Sequence, residues 1–278
     1  MTPKVNIDMI GVYSGKGGVG KTITTATLAH AAALKGKKTI AVDLDWQGHI
    51  STSYGLDKGE GVYEWLVRGK PLAKCLKPTG RNNLEALQGN ATTELIDRHF
   101  ASIATLEIEA RGIEKKTSVL ALEMMQEKLN EFFDLSLTPD VIFFDCPPRR
   151  SLLVEAVLGM CDTIIIPTSM TVKDLEGAET AYAAICKINP SARIILSPNR
   201  LKILDMKETF DSKRLGEITP EWVERGVTVA DPVKVSEMIK PIEESKRTVW
   251  EWQGKMTPTL ANVQRRYCEL YDMLFPKE

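Results

Sequence analysis

The 278-residue sequence predicts an α/β fold with a doubly wound, mostly parallel sheet. Three observations predict it. Short runs rich in β-branched and aromatic residues alternate with helical stretches, the pattern of strand–helix–strand crossovers. Several of those runs are almost continuously apolar, such as VIFF at 141–144 and TIII at 163–166, as in strands buried on both faces. A glycine-rich segment, GKGGVGKT at 15–22, joins the first strand-like run to the first helical one.

In chain order, the strand-like runs are 7–14, 39–45, 84–88, 141–145, 163–167 and 193–197, and the helical stretches are 21–34, 118–133, 152–159, 175–188 and 235–244. Residues 59–116 carry no strong period beyond one strand, so short helices and loops are expected there. The closing segment QRRYCELYDMLFPKE mixes acids with apolar residues and reads as a packed helix capping the fold. Neither an internal repeat nor a linker interrupts the pattern, so one domain over 1–278 is expected.

Composition narrows the function classes. Apolar residues at 43% and charged residues at 26% suit a globular chain long enough to bury a core. A net charge of −1 excludes a molecule that binds nucleic acid through its overall field, so any such contact needs a local basic patch. The five cysteines form no CxxC pair and match no common zinc spacing, which reads as free thiols in a reducing cytoplasm. The N-terminus lacks a signal-peptide layout and no run reaches about 20 apolar residues, so a cytoplasmic location without a membrane span is expected.

The segment Gly15–Thr22 fits GxxxxGK[ST], the phosphate-binding loop between a strand and a helix, and with it the P-loop NTPase fold. Gly15, Gly17, Gly18 and Gly20 let the main chain curl so that its N–H groups, including those of Val19 and Ile23, turn toward phosphate oxygens. The following helix N-terminus adds positive potential. Lys21 is expected on the β- and γ-phosphates of ATP, and the Thr22 hydroxyl on Mg2+. Asp43 and Asp45 end the second strand, two residues apart and on one side, at the sheet edge where ligands bind. VIFFDCPP ends the fourth strand with Asp145, a carboxylate suited to the magnesium shell, before two prolines that force a turn. Cys146, next to it, reads as a packing residue. Asn199 and Arg200 end the sixth strand, where an amide can meet a base edge. No NKxD-like guanine motif occurs, which favours ATP.

Lys16 inside the loop, with DLDWQ at 43–47 and DCPP at 145–148, resembles the ParA/MinD family of deviant Walker A ATPases, closest to its ParA-type (Soj-like) partition members. The resemblance spans about Asp8–Glu251. It implies a homodimer that sandwiches two ATP molecules, with Lys16 reaching the partner's nucleotide in the manner of an arginine finger. It assigns water positioning to Asp45, magnesium support to Asp43 and Asp145, and adenine contacts to Asn199, Arg200, Pro232 and Val233. Trp46 departs from the family's proline. The family also implies ATP-dependent binding to nonspecific DNA on the nucleoid, hydrolysis stimulated by a ParB-like or cargo adaptor, and slow turnover alone. Candidate phosphate-backbone contacts are Lys202, Lys234, Lys240, Lys246 and Arg247, with Arg200, Lys207, Arg265 and Arg266 also in reach. A MinD-like membrane cycle is the alternative. It needs a basic amphipathic C-terminal helix, which the acids of the closing segment do not favour. A nitrogenase-like cluster protein needs two bridging cysteines, and Cys146 and Cys161 lie in no glycine-rich cluster loop. A synthetase sharing the loop would need a small-substrate site that the sequence does not display.

Overall fold

The six strand-like runs form the six central strands of one sheet. The computed structural model describes residues 7–134, 138–202 and 209–276. In order, the elements are β1 (Asp8–Val12), α1 (Lys21–Leu34), β2 (Thr39–Asp43), α2 (His49–Tyr54), α3 (Val62–Leu66), α4 (Leu72–Cys75), β3 (Lys77–Pro78), β4 (Leu84–Leu87), α5 (Ile96–Arg111), α6 (Thr117–Leu129) and β5 (Val141–Asp145). They continue with α7 (Leu152–Leu158), β6 (Thr163–Thr168), α8 (Val172–Ile188), β7 (Arg193–Pro198), α9 (Phe210–Glu224), β8 (Thr228–Val229), α10 (Ile239–Glu244) and α11 (Pro258–Leu274). The sheet order is β3-β4-β2-β5-β1-β6-β7-β8, and every pairing is parallel except β3 with β4.

Both faces of the sheet are covered, as the apolar runs require. On one face, Ile142, Phe144, Ile164 and Ile166 pack in a cluster with Ala121 and Met125 of α6, Leu153 and Val157 of α7, and Ala181 and Ile185 of α8. On the other, Val141, Phe143, Ile165 and Ile195 pack with the alanines of α1 and with Val263, Tyr267 and Leu270 of α11. Successive strand residues thus alternate between two cores. Phe143 and Phe144 are each almost wholly buried, and truncating either to alanine is expected to cost about 3–5 kcal/mol.

The structure corrects several boundaries. Residues 59–116 contain the sixteen-residue α5. Its buried residues are only Ile96, Phe100 and Ala104, a stripe one residue wide, so its helical period is faint. The helix expected over 235–244 is confined to α10, because the Val235 amide donates to the Leu201 carbonyl at 3.0 Å and keeps that segment extended. α9 was not expected. It contains Pro220, and Trp222 is its buried residue. β3 and β8 are two residues each, too short for any period. α8 begins three residues earlier than expected, at a Thr171 side chain that accepts the Asp174 amide. The closing helix is present and begins earlier as well, at Pro258, after a Thr257 cap.

Candidate functional site: a phosphate loop between two carboxylate strands

Register builds the site. Val12 of β1 pairs with Asp145 of β5, and Asp145 pairs with Asp43 of β2. The phosphate loop and both acids therefore leave the sheet at one level, at the carboxyl ends of three adjacent strands, where open α/β sheets bind ligands.

Gly18 and Gly20 occupy the left-handed region, at φ 78° and 96°, which a side chain would make costly. Gly20 also serves as N-cap of α1, so no side chain satisfies the first-turn amides, and that turn has no acid. An uncapped N-terminus of this kind presents free N–H groups and positive potential. Lys21 is buried, and its ammonium donates to the Lys16 carbonyl at 2.9 Å. Lys16 is half-exposed. The Thr22 hydroxyl donates to Asp145 Oδ2 at 2.6 Å, and the Thr25 hydroxyl is 3.4 Å from Oδ1.

Burial pushes Asp145 up, against the pull of Thr22 and Lys21, and burial pushes Lys21 down. An ammonium and a carboxylate are thus both short of solvation. Hydroxyl and carboxylate oxygens suit a hard divalent cation, and amides with an ammonium suit phosphate. The donor set therefore fits a magnesium nucleotide.

Asp43 is fully buried beside Asp145, and burial followed by that neighbouring carboxylate drives its pKa well above the usual range. Its oxygens accept the amides of Asp45 and Ile50, each at 2.9 Å. Its visible role is to shape the turn after β2, while Asp145 is the acid that meets Thr22. Asp45 is half-exposed and accepts the Gln47 amide at 3.0 Å. The turn rests on Gly89, where a Cβ would lie 2.3 Å from the Asp45 carbonyl oxygen. Trp46 is 47% exposed and walls a cleft of about 380 Å3 with Leu44, Pro147, Pro148 and Leu153.

A family model described as an AAA domain matches residues 7–197. The sporulation initiation inhibitor protein Soj of Bacillus subtilis is 30% identical over 172 residues, 61% of each chain. The chromosome-partitioning ATPase Soj of Treponema pallidum is 30% identical over 182 residues, covering 66% of this chain and 65% of that one. This chain belongs to the ParA/MinD family. It spans 61% and 65% of the lengths of those two relatives. A solved ATP complex of a McdA variant from Cyanothece has the same fold, with a TM-score of 0.79 and 16% identity over 98% of this chain and 97% of that one.

The remaining residues of this ParA/MinD chain sort into two groups. Asn199 is buried, and its amide group faces Thr24 Oγ1 at 3.2 Å and the Val19 carbonyl at 3.5 Å. The geometry thus brings the Asn199 amide group against the loop. Arg200 donates to the Gly18 carbonyl at 2.7 Å. Val233 is buried, Pro232 is half-buried, and the Val233 amide bonds the Pro198 carbonyl at 2.8 Å. Ile23 lies against Gly20.

Lys202 and Lys234 share a cleft, because Leu201 bridges to Lys234. Lys240 pairs with Glu244 at 3.8 Å on exposed α10, and Lys246 and Arg247 are exposed just after it. Arg265 and Arg266 pair with Glu269, and Arg266 also with Asp231. Lys207 lies outside the described residues. Arg149 and Arg150 face solvent beside Glu94 and Glu155. Cys146 and Cys161 are buried, and burial pushes both thiols up. Among the described residues no group of three His, Cys, Asp or Glu side chains can hold a metal, and no helix is long and apolar enough to cross a membrane.

Sequence reasoning missed Gly177 and Tyr267. A Cβ on Gly177 would stand 2.9 Å from Lys16 Cβ, so α8 lies directly on the loop's first residues. An isolated glycine inside a helical pattern is the signal that marks such close packing. Tyr267 of α11 reaches Thr24 at 3.2 Å, and nothing in its local sequence points there.

Proposed function

We propose that the protein is an ATP-dependent dimeric switch of the ParA type, a single domain over 1–278 that binds and hydrolyses ATP with Mg2+. The observation that carries the reading is the Thr22–Asp145 hydrogen bond of 2.6 Å at the rim of the glycine loop. It joins the loop's magnesium-type hydroxyl to the strand-end carboxylate, with buried Lys21 alongside.

The loop amides and Lys21 bind the triphosphate, and Thr22 and Asp145 would hold the magnesium, with Asp43 fixing the turn behind them. Bound there, the metal would supply positive charge that offsets the phosphates. Asp45 orients the attacking water. Lys16 of one protomer reaches the nucleotide of the other and offsets charge that develops on the transferring phosphoryl group. Pro232 and Val233 wall the base side. The ATP-bound dimer then holds nonspecific DNA through basic side chains, with Lys202 and Lys234 the first choice because they share a cleft. An adaptor of the ParB kind triggers hydrolysis and release, and the molecule works on the nucleoid in the cytoplasm.

Retention on nonspecific DNA and on anionic liposomes, measured in parallel with ATP, ADP and no nucleotide, tests the reading. DNA retention that needs ATP and fades at high salt is expected. Binding to liposomes alone would replace it with a membrane cycle of the MinD kind.

A further inference from the structure

One short segment touches both loops that flank the nucleotide site. At its start, Gly89 lies under the turn after β2, where a Cβ would stand 2.3 Å from the Asp45 carbonyl oxygen and 2.8 Å from that of Asp43. Gly48 closes on the same residue, and a Cβ on it would meet the Gly89 oxygen at 2.6 Å. At the segment's end, Asp97 in the first turn of α5 reaches 55 residues along the chain to α7. One carboxylate oxygen accepts the Leu152 amide at 2.9 Å, and the other accepts the Leu153 amide at 3.1 Å. Between these ends Asn90 stiffens a 3-10 turn over Ala91–Leu95. Its Oδ1 accepts the Thr92 amide at 2.9 Å, and its own amide donates to the Thr93 hydroxyl at 3.0 Å.

α7 is therefore capped largely by another helix. Its own cap, the Ser151 hydroxyl, accepts the Val154 amide at 3.2 Å, and Asp97 takes the two amides before it. This bears on the loop of residues 146–151 that leads from Asp145 to α7. The sheet fixes the loop's near end: the Cys146 amide donates to the Val12 carbonyl at 3.1 Å, and the Asp145 carbonyl accepts the Leu44 amide at 3.0 Å. Pro147 and Pro148 have no N–H to donate, and Arg149 and Arg150 are exposed. Asp97 fixes the far end, with Glu94 of the same segment 3.6 Å from Arg149. This loop and the turn bearing Asp45 meet across the cleft that Trp46, Pro147, Pro148 and Asp97 line. Residues 89–97 thus hold the two at a set spacing.

We propose that Asp97 is a positioning residue for ATP hydrolysis: through α7 it fixes the loop beyond Asp145 against the Asp45 turn, and residues 89–97 are the strut between them. This rests on the ATPase reading given above. Asp145 itself is held by the sheet and by Thr22, so the strut acts on turnover and leaves nucleotide binding alone.

The test measures the MgATP dissociation constant, kcat and melting temperature of full-length protein, with kcat taken well below each variant's melting point. Asp97→Ala deprives both α7 amides of their acceptor. It is expected to lower kcat about ten-fold, a displacement well short of the roughly 1 Å that can cost 100-fold, with the dissociation constant within about two-fold of wild type. Asp97→Asn keeps one acceptor oxygen and is expected to fall between, at about three-fold. Thr257→Ala removes the cap of α11, where the hydroxyl accepts the Leu260 amide at 3.2 Å. It is expected to lower the melting temperature by about 2–4 °C, as Asp97→Ala does, with kcat unchanged. A folded Asp97→Ala protein with wild-type kcat overturns the inference. So does a loss of MgATP affinity equal to the loss of kcat, an Asp97→Asn protein no better than Asp97→Ala, or a Thr257→Ala protein that loses kcat as much. If Asp97→Ala does not fold, Asp97→Asn decides, and wild-type kcat in it overturns the strut. Wild-type protein that binds MgATP and releases no phosphate overturns the ATPase reading itself, and the inference with it.

Discussion

A methyl group at Gly177 tests whether α8 sets the position of Lys16. The added Cβ would stand 2.9 Å from Lys16 Cβ, 3.5 Å from the Lys16 nitrogen and 3.7 Å from the Gly15 carbonyl carbon. Carbon atoms prefer about 3.5–4.0 Å, so the first contact is short by roughly 0.6–1.1 Å. Overpacking of this kind costs about 1–3 kcal/mol. Replacing a mid-helix glycine by alanine returns about 0.5–1 kcal/mol, so the net loss of stability is expected at about 0–2.5 kcal/mol. The effect on activity is larger. The contact is with the base of Lys16, whose carbonyl also accepts the Lys21 ammonium. A shift there displaces two cations at once, and misplacement by about 1 Å can cost 100-fold in rate. Gly177→Ala is therefore expected to stay folded and lose ten-fold or more in ATP turnover at saturating MgATP. Gly216→Ala on α9, where a Cβ meets nothing within 4 Å, is the matched control and is expected to leave turnover unchanged. A Gly177→Ala protein with wild-type turnover would refute the argument that α8 registers Lys16.

Thr22→Val keeps the side-chain shape and removes the hydroxyl that Asp145 accepts; magnesium is expected to lose its effect on ATP affinity, by at least ten-fold in titrations with and without the metal. Asp45→Ala is expected to retain ATP binding while hydrolysis falls 100-fold or more and an ATP dimer accumulates on sizing columns, and normal phosphate release would move the water to another group. His30, buried on α1 against Thr248 at 2.6 Å, is held down to about 4 by burial. The folded state takes up this proton only below the range in which the unfolded chain does, so stability is whole above about pH 6.5 and drains away as pH falls toward 4, by up to about 3 kcal/mol. Urea midpoints from pH 7.5 to 4.5 check this, and His30→Asn is expected to flatten the acid limb.

The parts legible in the sequence are those whose chemistry is contiguous. GKGGVGKT spells its own backbone curl, ammonium and hydroxyl in eight residues. VIFFD spells a strand buried on both faces with an acid at its tip, and the register sets that acid level with Asp43. What stayed illegible depends on distance along the chain. Gly177 meets Lys16 from 161 residues away, and Tyr267 meets Thr24 from 243. Asn199 meets Thr24 from 175 residues away and Val19 from 180, contacts that its strand-end position alone does not reveal. α5 escaped because one narrow stripe buries it, leaving Leu106 64% exposed on its outer side.

The two acids side by side set how much this site stands to gain from a magnesium nucleotide. Asp43 and Asp145 are paired in register within the sheet core, and burial raises both. Asp43 is compensated locally, by two main-chain amides. Asp145 leans on hydroxyls and on Lys21, groups that a magnesium nucleotide also engages. The fold therefore carries a desolvated carboxylate and a desolvated ammonium whose needs a cation and a triphosphate meet together. Ligand at 100 times its dissociation constant adds about 2.7 kcal/mol. At roughly 2 °C per kcal/mol for a chain of this size, MgATP is expected to raise the melting temperature by about 5 °C. ATP with excess EDTA at the same concentration is expected to give less than half that shift, because Asp145 then gains no cation. Equal shifts with and without the metal would mean that the Thr22–Asp145 pair is only a structural hydrogen bond, and that the carboxylate at the tip of β5 belongs to the core rather than to the site.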